Sequence, residues 1–263
     1  VTGVQTCALP ISNDDGGWAV YRKSINYQYD TEYYQTTAVN FGSAVGYDST
    51  AGYLIADSTA GNIYRYTYNV ITGQYENTAV ISGDASFGTC ILHEDIVWAI
   101  SQPTTNPRVK IYAVNNTNAG SDIVPYQTIL ASDNAATTGS ANFGSALALS
   151  GDLNWLYISD YNEATPTARN KVHAFRKRNI ETIAGSFISG KTYQITSVGT
   201  TDFTALGATA NEVGVYFIST GVGSGTGTAT RCDYQYMATM TNSATSVRSE
   251  EHTSELQSRF GIS

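Results

Sequence analysis

The chain is predicted to be all-β and built from repeated four-stranded units, on three observations. With 24 Gly, 19 Tyr and only 14% charged residues in 263, the composition favours short strands and tight turns over helices. A Phe-Gly pair recurs at Phe41-Gly42, Phe87-Gly88 and Phe143-Gly144, at spacings of 46 and 56 residues, each time leading into a small residue and a short apolar run: SAVGY, TCILH and SALAL. Such a period marks a repeat architecture. Third, residues 142–176 hold three strand patterns within about 30 residues, the density of a meander.

Taken in order, WAVYRK from Trp18 matches the third strand of later units but has no Phe-Gly pair before it, and a fourth strand is expected over Tyr33 to Thr37. The first full unit runs through SAVGY and NIYRYTY (from Asn62) to Tyr75–Val80. The second runs through TCILH and VKIYAVN (from Val109) to Tyr126–Leu130. In the third, Ser145–Leu149 is small and apolar, and Ser150 to Asn154 supplies the Gly, Asp and Asn that tight turns prefer. Trp155–Ile158 and the alternating Lys171–Phe175 follow, separated by a polar loop. Four strands at a period in the forties to fifties fit propeller blades better than leucine-rich or helical repeats. A β-sandwich is the rival fold; it explains the strands but not their recurrence.

The Phe-Gly pair, apolar strand, polar turn and following strands resemble the FG-GAP repeat, which implies a β-propeller. Three units and a leading half-unit in residues 12–183 imply a partial, open propeller with unpaired edges. Some FG-GAP repeats hold calcium between their first two strands. The corresponding loops here, 47–52, 93–95 and 150–154, lack three spaced oxygen side chains, so they are expected to be turns, with no metal and no cofactor.

Residues 180–231 break the repeat. Strands are expected at 191–198, 214–220 and 225–231, a helical turn at 201–208, and a flexible hairpin at the Gly-rich run 221–227, which lacks the Lys-Ser/Thr and helix of a phosphate loop. The run GKTYQITSVGTTDFTALGA resembles an element of predicted tail and virion structural proteins of marine bacteriophages, over some 48 residues. A small β-module is therefore expected at 184–231, inserted within a blade, with the chain returning to the propeller at 232–247. The third unit lacks a fourth strand of its own, so Lys171–Arg176 is expected to pair antiparallel with Tyr234–Thr241.

Residues 1–11, VTGVQTCALPI, resemble translated sequencing adapter. RSEEHTSELQS, residues 248–258, is encoded by the opposite strand of the same oligonucleotide. Residues 1–11 and 248–263 are thus set apart as non-biological and expected to contact the core little, and the biological chain is expected to be a fragment open at both ends. The remainder holds 12 basic and 19 acidic residues, a net charge of −7. That balance argues against nucleic acid and against an anionic membrane surface, and no apolar run has membrane-spanning length, so no membrane insertion is expected.

Cys90 and Cys232 stand too far apart for a framework, and Cys90 reads as a small core residue. His93 and His173 lack metal or catalytic spacing and are expected on strand surfaces. Tyr64, Tyr66, Tyr68, Tyr112 and Tyr157 are expected to pack across strands, whereas Tyr27, Tyr29, Tyr33, Tyr34 and Tyr161 lie nearer loops, where rings can stack on glycans. Arg176-Lys177-Arg178 reads as a solvated strand end. Ser150–Trp155 only loosely follows the boxes of sugar-cleaving propellers, so no catalytic residues are assigned and no enzyme is expected. The resemblances together imply a bacteriophage virion protein, tail or tail-fibre associated, whose partners are other virion proteins or a host-surface glycan or protein. A secreted or surface bacterial FG-GAP adhesin is the alternative, and a propeller glycoside hydrolase a distant third.

Overall fold

The computed structural model describes residues 7–9, 17–22, 28–34, 40–48, 52–94, 97–104, 106–113, 125–133, 142–160 and 171–241. It is all-β, and the described residues contain no α-helix. The first sheet holds β1 (Cys7–Leu9), β2 (Gly17–Arg22) and β3 (Gln28–Tyr34), in backbone alone. The second holds β4 (Phe41–Asp48), β5 (Gly52–Asp57), β6 (Asn62–Asn69) and β7 (Gln74–Ser82). The third holds β8 (Ile91–Glu94), β9 (Val97–Gln102), β10 (Arg108–Ala113) and β11 (Gln127–Leu130). The fourth runs β12 (Phe143–Leu149), β13 (Trp155–Asp160), β14 (Lys171–Lys177) and then β19 (Tyr234–Thr241). Between β14 and β19 the chain builds a fifth sheet from β15 (Ile180–Ile183), β16 (Thr192–Ser197), β17 (Tyr216–Ile218) and β18 (Thr228–Arg231). All the pairings are antiparallel, and each sheet is open.

β1 lies inside the adapter-like stretch and pairs Cys7–Leu9 with Ala19–Tyr21. Ladder pairing engages the main chain, so almost any sequence can complete a sheet edge. β3 starts earlier than the fourth strand expected at 33–37, because Tyr29, Thr31 and Tyr33 continue the alternation opposite Tyr21, Val20 and Trp18; residues 35–37 lie outside the described residues.

The Phe-Gly pair makes the same local structure three times. Phe41, Phe87 and Phe143 are buried, and Gly42, Gly88 and Gly144 have φ of 92°, 89° and 92°. This left-handed region carries a steric cost for any residue with a Cβ. The turn closes through Ser43 N–H to Asn40 O, Thr89 N–H to Ser86 O and Ser145 N–H to Asn142 O, at 3.1–3.2 Å. Opposite β5 and β13 the extra residues appear as register shifts after Phe41 and Phe143.

The Gly88 and Gly144 turns also seat on the sheet before them. A Cβ on Gly88 would lie 2.8 Å from Ala56 Cβ and 3.3 Å from Ile63 Cγ1; one on Gly144 would lie 2.9 Å from Ser101 Cβ and 3.2 Å from Val109 Cγ2. Successive sheets therefore stack face to face. β9 is buried along its whole length, with its residues sorted by parity: Trp98 and Ile100 join Leu54, Ala56, Ile63 and Phe87, while Val97 and Ala99 join Val109, Phe143, Leu156 and Ile158. A strand covered on both faces reads as a continuous apolar run, as VWAIS does.

The fourth sheet is completed across the insertion. Lys171–Lys177 pairs with Tyr234–Thr241, with a bulge between Ala174 and Phe175, which is the pairing expected of the orphaned third strand. The insertion's sheet begins four residues before the expected boundary at 184, because Ile180–Ile183 pairs with Thr228–Arg231. The expected helical turn at 201–208 is reduced to a 3-10 turn, Thr204–Leu206. Asp202 and Asn211 hold its start, through Asp202 Oδ1 to Thr204 N–H and Asn211 Oδ1 to Phe203 N–H, and Gly207 ends it in a left-handed conformation. The run 221–227 is not a hairpin. β17 and β18 sit on either side of β16, so the run crosses over that strand, tied down by Gly185 N–H to Val222 O and Gly227 N–H to Thr201 Oγ1. Phe187, Tyr193, Phe203 and Phe217 form the module's own core.

Candidate functional site

Two clefts open at the root of the inserted module, on either side of the start of β19. One, of 580 Å³, is lined by Arg176, Lys177, Arg178, Asn179, Gln235 and Tyr236 among others. The second, of 430 Å³, includes Gln127, Phe175, Lys191, Arg231, Asp233 and Tyr234. Both are built where the chain departs for the module and returns: the walls of the first come from the fourth and fifth sheets, and the second adds β11 of the third.

Several hydrogen bonds frame this junction. Gln127 on β11 clamps the main chain of Tyr234, its Nε2 donating to Tyr234 O at 2.8 Å and its Oε1 accepting from Tyr234 N–H at 2.7 Å. Tyr234 Oη donates to Leu153 O at 2.8 Å. Arg231 meets Asp233 in a bidentate pair at 2.6 and 3.0 Å; the Asp233 hydrogen bond, acting against partial burial, raises the Arg231 pKa. Lys177 N–H and Arg178 N–H donate to Asn154 O and Asp233 O, which fixes the direction of the basic run.

The module is locked to the third sheet at Tyr126. Thr192 Oγ1 donates to Tyr126 O, and the Tyr126 ring stacks on Tyr216 with centroids 5.1 Å apart and planes at 21°. Burial drives the Tyr126 phenol pKa well above its ordinary value. Its hydroxyl has no hydrogen-bond partner among the described residues. An unmet buried hydroxyl costs about 1–3 kcal/mol, so Tyr126→Phe is expected to leave stability unchanged or raise it by about 1 kcal/mol in urea unfolding. A loss above about 1 kcal/mol would show that the hydroxyl is satisfied.

His173 departs from the expectation of a surface position. It is 0% exposed, between Thr239 Oγ1 at 2.8 Å on Nδ1 and Asp160 Oδ2 at 3.3 Å on Nε2, with the Phe143 ring 5.8 Å away. Stacking of the fourth sheet on the third turns His173 and Phe175 inward together. A hydroxyl, imidazole and carboxylate in line suggest nucleophilic catalysis, but neither cleft is lined by Asp160, His173 or Thr239. The line satisfies buried polar groups. His173→Ala is expected to cost about 2 kcal/mol, readable as a lower unfolding midpoint. His93 lies on β8, and its side chain is outside the described residues.

Arg176 is the exposed member of the basic run and places its guanidinium carbon 5.7 Å from the Trp155 ring centre; Lys177 and Arg178 are half-buried. Of the tyrosines expected to pack, Tyr66 and Tyr112 are buried, Tyr64 lies edge-on to Phe41 at 5.4 Å, Tyr68 to Tyr75 at 5.3 Å, and Tyr157 stacks beside Trp155 at 6.3 Å. Tyr27 and Tyr161, and the side chains of Tyr29, Tyr33 and Tyr34, lie outside the described residues. Cys90 is half-buried, with a thiol pKa raised by burial, and Cys232 is buried, its pKa pushed up to about 12 by desolvation. Asp152 spends its carboxylate on its own turn, accepting from Ser150 Oγ and from the side-chain and main-chain N–H groups of Asn154, which lowers its pKa to about 2.

The sequence reads the basic run as a solvated strand end, whereas Lys177 and Arg178 are half-buried and line a cleft, which exists only once β19 returns beside β14. Among the described residues no helix is long and apolar enough to cross a membrane. No protein-family model matches the chain, and no curated protein matches it.

Proposed function

We propose that the chain is a propeller-like array of Phe-Gly-led blades acting in a bacteriophage virion, in the tail or tail fibre, in assembly or in binding a host-surface glycan or protein. The observation that carries this reading is the insertion itself. A small Gly- and Thr-rich β-module, whose sequence we read as resembling an element of predicted tail and virion structural proteins of marine bacteriophages, leaves a repeat sheet after Lys177 and returns at Tyr234, anchored at Tyr126. A module held so firmly presents the clefts at its root in a fixed shape, as a recognition surface requires. The cleft of Arg176, Lys177, Arg178, Gln235 and Tyr236 offers cationic and amide donors beside an aromatic ring, a combination suited to polar surface glycans.

Antiserum against the protein should decorate the tail region of phage particles purified from the source sample, seen by immunogold electron microscopy. Label confined to bacterial cell surfaces would instead support the adhesin. On a glycan array the protein is expected to retain at least one polar glycan, with binding reduced about tenfold by the double change Lys177→Ala, Arg178→Ala. Equal retention by the variant would remove the cleft from the proposal.

A further inference from the structure

The seat used by the Gly88 and Gly144 turns has a simple composition. It pairs the penultimate residue of a sheet's second strand with the second residue of its third strand: Ala56 opposite Ile63, and Ser101 opposite Val109. One is small and the other β-branched, and all four are fully buried, under Gly88 and Gly144 respectively. The fourth sheet repeats the arrangement with Ser159 opposite Val172. Here both residues are only half-buried, and so are Trp155 and Tyr157 on the same face. Their counterparts in β9, Val97 and Ala99, are 1% exposed beneath the fourth sheet.

We infer that the face of the fourth sheet around Ser159 and Val172 is a seat for a further Phe-Gly-led four-stranded unit, glycine first. The two occupied seats define what fits: a left-handed glycine with no Cβ, pressed against a small residue and a β-branched one, followed by a strand that lies across the sheet. A second copy of the described units does not supply this occupant. Gly88 and Gly144 are already seated, and β4, which carries Gly42, lies against β1 and β2. Chain continuity favours an added unit as well. The connection from the end of β7 to Phe87 spans four residues and that from β11 to Phe143 spans 12, so a strand leaving β19 reaches the seat over a similar span. The inference needs only the observed stacking of the sheets and is independent of the virion assignment.

The test inserts a duplicate of residues 83–133, carrying its own Phe-Gly pair, directly after Thr241 in the full chain. Val172→Cys reports the seat through its rate of alkylation by iodoacetamide, followed by peptide-resolved mass spectrometry. Ile71→Cys, on a turn where Ile71 is 91% exposed, is the control. The added unit should slow alkylation at position 172 at least about tenfold and leave position 71 unchanged. Changing the added unit's Gly88 counterpart to Val should restore the fast rate. The inference is overturned if position 172 reacts equally fast with and without the unit, if the Gly-to-Val copy protects it just as well, or if hydrogen exchange shows the added unit unfolded beside the seat. None of these outcomes bears on whether the protein belongs to a phage tail.

Discussion

Phe143→Ala should destabilise the protein by about 4 kcal/mol. The ring is fully buried in the core shared by the third and fourth sheets, among Val109, Ile111, Leu156, Ile158 and Phe175, and lies against His173. Truncation removes the transfer energy of the ring and leaves a cavity that two stacked sheets cannot easily collapse, because Gly144 beside it already holds them in contact. Urea unfolding should show the midpoint falling with little change in slope. Leu147 in the same strand is half-buried, and Leu147→Ala should cost about 1 kcal/mol. If the two substitutions cost the same, the Phe-Gly phenylalanine is not the anchor between the sheets.

That anchor was legible in the sequence because its chemistry is local. A large ring to bury, a glycine free to turn left-handed and a small residue after it leave the same trace wherever the turn occurs, at Phe41, Phe87 and Phe143. The partnership of Lys171–Lys177 with Tyr234–Thr241 was legible for a related reason: a strand without a ladder partner needs one, and YQYMATM was the remaining run of suitable pattern.

What stayed hidden depends on contacts between sheets. KVHAF alternates, but with Val172 and Ala174 on one face and His173 and Phe175 on the other, both faces look passably apolar; only stacking on the third sheet decides that the imidazole is buried. The Gly-rich run 221–227 has hairpin composition, yet sheet order makes it a crossover, and order is not written in turn residues. Ile180–Ile183 falls before the boundary expected for the module, and only its pairing with Thr228–Arg231 assigns it to the fifth sheet. The clefts belong to the same class, since Gln127 and Tyr234 are 107 residues apart in the chain and one hydrogen bond apart in space.

Gly144→Val is expected to cost about 3–4 kcal/mol, from two sources of similar size. A Cβ at φ of 92° brings a left-handed penalty of about 1–2 kcal/mol, greater for a β-branched side chain. The same Cβ would lie 2.9 Å from Ser101 Cβ and 3.2 Å from Val109 Cγ2, so the fourth sheet must lift from the third, a form of overpacking worth about 1–3 kcal/mol. The two parts can be separated. Gly185→Ala, at φ of 97° where an added methyl group meets nothing within 4 Å, should show the backbone part alone, about 1–2 kcal/mol. Ser101→Gly removes the atom nearest the intruding Cβ, at the cost of the hydrogen bond that Ser101 Oγ accepts from Cys90 N–H. In a double-mutant cycle Ser101→Gly should recover about 1 kcal/mol of the Gly144→Val loss, the steric share, and leave the backbone strain in place. A coupling of zero would mean that the glycine is required for its own conformation alone, and that the turn does not press on the preceding sheet.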